Sequence, residues 1–374
     1  MLLSGHGPRE PFTLLNNLEP LRGPEEITPE WADQVLRASG ALGEGRVAHC
    51  SVERIGSDEG MTSRVYRVGL AYQPPDANGP ATLIVKLPSE DVELRDRLRQ
   101  LGVYAKEIGF YLELAGASRV RVPRVHFAWR DEATDDFVLV LEDLSELRCG
   151  DVSEGCDADT AALILAEVAR LHAAWWENES LAAIGWLPPR PMDFLIAGFA
   201  ATFPVFLDRF ADLVSTPLAQ LLPRLPAKIA ASSKRLGQEP LTLQHGDVKL
   251  DNLFFRTTAT GVELTIFDWG SIARGAAAYD LAYFLSESLE PEEARRHLPG
   301  LLRTYHTVLV SEGISGYSSE RLAEDFRLQF LSCLLRRIVV GGSRLTPGQV
   351  SLFRPRTRRF LGIAELLDVC DLLA

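Results

Sequence analysis

Two periodicities divide the chain. Over 47–72 the pattern is extended, and 64–70 alternates polar and apolar, as a strand with one buried face does. Residues 74–79 carry turn chemistry, and 82–87 read as a second strand stopped by Pro88. Together they predict an antiparallel hairpin with a long loop. A helical period then takes over. Leu94, Leu98, Leu101, Tyr104, Ile108, Tyr111 and Leu112 predict a helix over about 92–115, with Glu107 at the edge of its apolar stripe. Residues 137–141 are uniformly apolar and predict a buried strand ending in Glu142, Asp143 and Leu144.

Beyond residue 145 the pattern is mostly helical. Helices are expected over 160–176 and from Leu281 to the end, with a Phe-rich stretch at 194–210 and short strands only at 241–243, 253–255 and 262–267. Near the start, Thr28 suits an N-cap and Pro29 the first helical position, for a helix through Trp31, Val35 and Leu36 that stops near Gly40 or Gly43. The shift from strands to helices predicts an α+β chain. It has an irregular arm at 1–24, a small antiparallel-sheet lobe at 25–144 and a larger, mostly helical lobe at 145–374. No internal repeat or low-complexity tract interrupts it.

The chemistry concentrates on a few loops. Asp247, Lys249 and Asn252 stand at D-x-K-x-x-N spacing after a short apolar strand. Phosphoryl transfer needs a carboxylate to orient a hydroxyl and take its proton, a neutral oxygen to help hold magnesium, and a cation near the moving phosphoryl group. Asp247, Asn252 and Lys249 suit those roles in that order. Asp268, at the end of the next strand, suits the other magnesium position, where ATP phosphates are bridged. Lys86 lies on a strand and needs a partner charge if buried, which Glu107 supplies. The segment 55–63 offers Gly56, Ser57, Gly60, Thr62 and Ser63, whose backbone N–H groups could approach phosphate oxygens. Taken singly, each motif also reads as an ordinary loop, strand end or surface pair. Their order along the chain is what points to ATP and Mg2+. His245 and His172 read as packing or loop-ordering residues, since this chemistry requires no histidine.

Composition narrows the partners. The net charge of −12 argues against nucleic acid, which calls for a basic face. Five widely spaced cysteines indicate neither a zinc site nor a disulfide framework. Reduced thiols, a polar N-terminus and the lack of a long apolar run suggest a cytoplasmic protein with no membrane partner, as a monomer or homodimer.

These motifs carry a family resemblance. The segments 27–31, 104–111, 139–144 and 171–176, with the two carboxylate loops, resemble the aminoglycoside phosphotransferase and choline kinase group, which shares the protein-kinase fold. More narrowly they resemble the ecdysteroid-kinase-like phosphotransferases and their bacterial relatives, over nearly the whole chain from about residue 27. The resemblance implies that adenine docks on backbone groups near Glu142, Asp143 and Leu144, and that Asp247 is the catalytic base. It also implies that Asp280 ties a helix start to the catalytic loop. The 55–63 segment departs from the G-x-G-x-x-G of protein kinases, and Lys249 matches protein-kinase spacing better than that of many small-molecule kinases.

Only 11 residues separate Asp268 from Asp280, and no A-P-E element follows, which argues for a small-molecule hydroxyl acceptor over a peptide. Phe199, Phe203, Phe206 and Phe210 fall on one helical face. Core packing accounts for them, and an apolar acceptor site lined by some of the aromatics of 175–210 is the sharper alternative. Asp193, Asp208 and Asp212 make no convincing cluster for a polycation. The expected acceptor is therefore hydroxylated and partly apolar, sterol-like, polyketide-like or a xenobiotic. A cationic aminoglycoside or choline-type acceptor is the alternative, and a nucleotide-binding pseudoenzyme or scaffold is the alternative of another class.

Overall fold

The structure is a computed structural model that describes residues 20–56, 62–190, 192–232 and 240–373. Its contacts divide the chain into two compact units, Met1–Arg148 with Thr265–Gly270, and Cys149–Leu264 with Ser271–Ala374.

In the first unit, helix α1 (Pro29–Ala38) starts where its cap chemistry puts it, with the Thr28 side chain accepting the N–H of Trp31 at 3.2 Å. Strands β1 (Arg46–Ile55), β2 (Ser63–Gln73), β3 (Thr82–Pro88), β4 (Val125–Arg130) and β5 (Phe137–Glu142) form an antiparallel sheet in the order β1-β2-β3-β5-β4. Trp31, Val35 and Leu36 of α1 pack on one face with Leu83, Val85, Leu87, Val138 and Val140. Trp31 meets Phe127 edge to face. Residues alternate across a strand, so Lys86 points to the opposite face of central strand β3, paired in register with Val65 and Leu139.

The single helix expected over 92–115 is broken. It forms as α2 (Val92–Gln100) and α3 (Val103–Gly109), followed by a π-helical turn at Phe110–Leu114. Gly102 stands between them at φ +64, a left-handed conformation that ends α2 and that glycine adopts without steric cost. The break turns Leu101 outward to solvent and lets Tyr104, Glu107 and Ile108 keep their inward face.

The second unit is mostly helical. Strand β6 (Arg148–Cys149) leads to α4 (Ala158–Ala174), which starts on an Asp157 cap two residues before the expected point. Next come α5 (Met192–Arg209), α6 (Thr216–Leu221) and α7 (Leu225–Ala231). Strand β7 (Leu241–Gln244) precedes a loop, β8 (Leu253–Thr258) and β9 (Gly261–Ile266), and pairs antiparallel with β10 (Ala273–Ala276). The last helices are α8 (Ala278–Ser288), α9 (Pro291–Ser311), α10 (Ser319–Gly341), α11 (Pro347–Leu366) and α12 (Val369–Leu373). Every residue of α8 is buried, so its polar positions Asp280, Tyr283 and Glu287 must all find partners inside the unit. Phe199, Phe206 and Phe210 lie in the core, and Phe203 stacks on Phe199 with ring centroids 4.8 Å apart. Phe194, on the same helix, is exposed. No described helix is long and apolar enough to cross a membrane.

Candidate active site

In the first unit, Lys86 Nζ donates to Glu107 Oε1 at 2.6 Å, joining β3 to α3. Burial alone would pull the lysine pKa down. The Glu107 and Asp268 carboxylates outweigh it and hold the ammonium above its usual range. Asp268 follows β9 at φ +65, a conformation uncommon for a residue with a Cβ. Next to it Trp269 is buried, its ring stacked on Phe110 with centroids 3.6 Å apart and its Nε1 donating to Ile266 O at 3.3 Å. That stacking anchors the turn carrying Asp268 to the helical segment carrying Glu107. Lys86 and Glu107 thus pair as their motifs anticipated, and Asp268 joins them in one electrostatic group. No described residue donates a hydrogen bond to the Asp268 carboxylate.

Of the phosphate-loop candidates, Ser57 and Gly60 lie outside the described residues. Gly56 ends β1 at φ +84, and Ser63 opens β2. Both line a cavity of about 260 Å³. The Thr62 carbonyl accepts the hydroxyl of Tyr104 at 2.6 Å. The Glu142 side chain accepts from Arg121 at 3.0 Å and from the Arg124 N–H at 3.1 Å, and its own N–H donates to Arg124 O at 2.8 Å. Asp143 accepts from Arg67 at 2.8 Å and from the Ser145 N–H at 2.9 Å. Leu144 is buried, its carbonyl accepting the Leu147 N–H at 2.9 Å. Both acidic side chains are therefore committed to holding this segment's shape, and any base contact falls to the backbone.

In the second unit, the loop after β7 is built around Asp247. Its Oδ2 accepts from Lys249 Nζ at 2.8 Å and Asn252 Nδ2 at 3.3 Å. Its Oδ1 accepts from Tyr283 OH and from an Arg336 guanidinium nitrogen, each at 2.8 Å. Burial raises the energy of the carboxylate. Lys249 and Arg336, helped by the Tyr283 hydroxyl, outweigh that and hold its pKa well below the usual carboxylate range. Asn252 Nδ2 also donates to Asp247 O at 3.0 Å, which directs the amide oxygen away from the loop.

The loop backbone is pinned from beneath. Asp280 on α8 accepts the N–H groups of His245 at 2.7 Å and Gly246 at 2.8 Å, as the resemblance implied. His172 orders that carboxylate through Nε2 at 3.2 Å, its Nδ1 lying 2.7 Å from Tyr305 OH. His245 Nδ1 accepts the Asp247 N–H at 3.3 Å. Neither histidine is free to act as an acid or base. Gly246 sits at φ +79, and a Cβ there would collide with the Ser271 carbonyl and the Arg190 guanidinium. Gly246→Ala is expected to destabilise the protein by about 1–3 kcal/mol and to cut turnover, since the loop must move to relieve the clash. Urea unfolding alongside an activity assay checks both.

Three residues here had no sequence signal. Tyr283 lies one helical turn beyond Asp280, so only the helix register of α8 would have suggested it. Arg336 is 89 residues from Asp247 on α10, where it reads as a solvated charge. Its other guanidinium nitrogen donates to Gly246 O at 2.7 Å, and its plane lies 4.4 Å over the Tyr283 ring. Arg190 bonds Gln244 at 2.9 Å and covers the Tyr279 ring at 4.5 Å.

A sheet unit with a strand lysine paired to a helix glutamate, and a helical unit with this carboxylate loop, define a phosphotransferase of protein-kinase-like α+β fold. Two of the similar solved structures share that fold. A Ralstonia eutropha JMP134 protein named as an aminoglycoside phosphotransferase is 16% identical, with TM-score 0.52, over 90% of this chain and 97% of that one. The GDP and kanamycin complex of APH(2″)-IIia is 16% identical, with TM-score 0.50, over 91% and 98%. A Plasmodium vivax ethanolamine kinase is 13% identical, with TM-score 0.47, over 85% and 83%. No curated protein sequence matches the chain. The model of the ecdysteroid kinase-like family matches residues 57–313, more than half of the chain, and the chain belongs to that family. It is a small-molecule kinase, a phosphotransferase with an alcohol group as acceptor.

Proposed function

We propose that the protein transfers the γ-phosphoryl group of ATP, with Mg2+, to a hydroxyl of a neutral and partly apolar small molecule. The observation that carries this reading is the Asp247 carboxylate, ionised and fixed by four donors on three separate elements. A carboxylate so held aligns an acceptor O–H and receives its proton as the oxygen attacks. Proton removal is a minor demand in a loose transition state, so a weakly basic aspartate suffices when it is well placed. Lys249 places a cation beside the reacting oxygens. Lys86, steadied by Glu107, would hold the α- and β-phosphates, with the backbone of Gly56, Thr62 and Ser63 as further candidates to contact them. The backbone of 142–144 would take the adenine.

The donor set suits magnesium. Among the described residues no cluster of three or more His, Cys, Asp or Glu could hold a metal alone. Magnesium is commonly held by one or two protein oxygens plus substrate phosphates and water, and the Asp268 carboxylate and the Asn252 amide oxygen are each of the type that would supply that share. The ion would offset charge on the phosphate oxygens.

The charges around Asp247 support this acceptor class. Two cations contact it directly, and Asp280 is consumed by the loop backbone and His172. Asp193 and Asp208 are exposed and Asp212 is paired with Arg354, so these three described carboxylates do not speak for a polycation seat. With a panel of a polyhydroxylated sterol, choline, ethanolamine and kanamycin, Mg2+-dependent ATP turnover is expected on the sterol and at least about tenfold slower on kanamycin. Turnover confined to the polyamine sugar would overturn the acceptor class while leaving the phosphoryl chemistry standing.

A further inference from the structure

Asp247 has no lone pair to spare. An ionised carboxylate accepts about four hydrogen bonds, two on each oxygen. Four donors already fill these places, Tyr283 OH and Arg336 on Oδ1, Lys249 and Asn252 on Oδ2. An acceptor hydroxyl must therefore replace one of them before it can give Asp247 its proton.

The two oxygens are not equally firmly held. Tyr283 is buried on α8, its ring covered by the Arg336 guanidinium at 4.4 Å. Arg336 is fixed through both arms of its fork, one nitrogen on Oδ1 at 2.8 Å and the other on Gly246 O at 2.7 Å. Neither donor can leave Oδ1 without losing a second contact. The hold on Oδ2 is weaker. Asn252 stands 3.3 Å from it and lies closer to the Asp247 carbonyl, at 3.0 Å. Lys249 bonds Asp247 alone among the described residues, on a flexible side chain that is 21% exposed.

We propose that Arg336 and Tyr283 are positioning residues of the transfer reaction, holding Oδ1 throughout so that Oδ2, vacated by Lys249, receives the acceptor's proton. This inference rests on the ATP reading above. In the step itself, the acceptor oxygen bonds to the γ-phosphorus as the bond from that phosphorus to the bridging oxygen breaks. The electron pair of the broken bond leaves with ADP, and the acceptor's proton passes to Oδ2. Arg336 acts by fixing the plane of the carboxylate. Because it also grips Gly246 O, that plane is tied to the loop backbone. A lysine at this position keeps the charge but presents a single nitrogen in place of the fork.

Water is an acceptor that is always present, so the test follows release of inorganic phosphate from γ-labelled ATP with Mg2+ by the full chain. Single-turnover rates of Arg336→Lys and Tyr283→Phe are each expected to fall about tenfold or more, with the Kd for ATP within about twofold of wild type. In an Asp247→Ala background the same two changes are expected to alter the rate by less than about twofold, since both act through that carboxylate. Losses of equal size in the two backgrounds would overturn the positioning role, and so would full activity in both single variants. Tyr283→Phe removes one oxygen and keeps the ring, so it carries the test if Arg336→Lys does not fold. A crystal structure with the magnesium complex of a non-hydrolysable ATP analogue is expected to keep both donors on Oδ1. On Oδ2 it is expected to show a solvent or acceptor oxygen in place of Lys249. Arg336 displaced from Oδ1, or both oxygens still filled by the four donors, would count against the assignment. No phosphate release by the wild type, to water or to any compound of the panel, would instead overturn the ATP reading and this inference with it.

Discussion

Asp247→Ala is expected to lower ATP-dependent phosphorylation of the acceptor by about 10³-fold, within the range that removal of a positioned acid or base produces. Two losses combine in this variant. The acceptor hydroxyl loses the group that aligns it and takes its proton. Lys249 and Arg336 also lose their shared counter-ion, so their charges turn on each other and on the phosphates. Single-turnover kinetics with radiolabelled ATP measures the chemical step directly, and full activity in the variant would remove Asp247 from the reaction. The wild-type pH profile carries a second expectation. The folded pKa of Asp247 is depressed, so its ionised form is fully present from about pH 5 upward and is lost only as pH falls through that low value. The rate is therefore expected to show no acid limb from this group between roughly pH 5 and 8. The stability that its ion pairs contribute is likewise expected to fade only in stronger acid.

Glu287→Gln is expected to destabilise the protein by about 3–5 kcal/mol, read as a lower urea midpoint with an unchanged slope. Glu287 is fully buried on α8 and pairs with Arg337 of α10 and Arg356 of α11. Its carbonyl also accepts from Arg359 at 3.3 Å, a buried arginine that donates to Val152 O at 2.6 Å and Ser153 O at 2.7 Å. Burial and the neighbouring Arg356 push the Arg337 guanidinium down to about 9, and Glu287 is the carboxylate paired with it. Its plane lies 4.1 Å over the Phe353 ring, which gives it contact but no counter-ion. The glutamine keeps the volume and removes the charge, leaving two cations in an apolar setting. A companion Glu287→Gln/Arg337→Met variant is expected to recover part of the loss by removing one of them. A single variant as stable as wild type would show that water reaches the pair.

The group of Lys86, Glu107 and Asp268 was readable because each member sits in a local context with its own signal. Lys86 stands on an alternating strand, Glu107 beside a helical stripe, and Asp268 at the end of an apolar run. The carboxylate loop was readable for the same reason, since D-x-K-x-x-N is a local spacing. The break at Gly102 was not anticipated. The apolar repeat continues across it, and only the left-handed glycine reveals that Leu101 leaves the stripe. Core packing was the favoured reading of the Phe run over 199–210, with an apolar acceptor site as the alternative, and Phe199, Phe206 and Phe210 are buried.

By itself, then, the sequence determined the strands of the Lys86 hairpin and the helical character of the second unit, and which residues could carry phosphoryl chemistry. Both depend on periods and spacings within a dozen or so residues. Only the tertiary structure decided what surrounds Asp247. Tyr283 and Arg336 reach it because α8 is wholly buried and α10 packs against it, bringing together groups 36 and 89 residues away. An arginine on a helix carries no local mark that separates a solvated charge from a buried counter-ion. That difference arises from desolvation and distance, which exist only once the chain has packed.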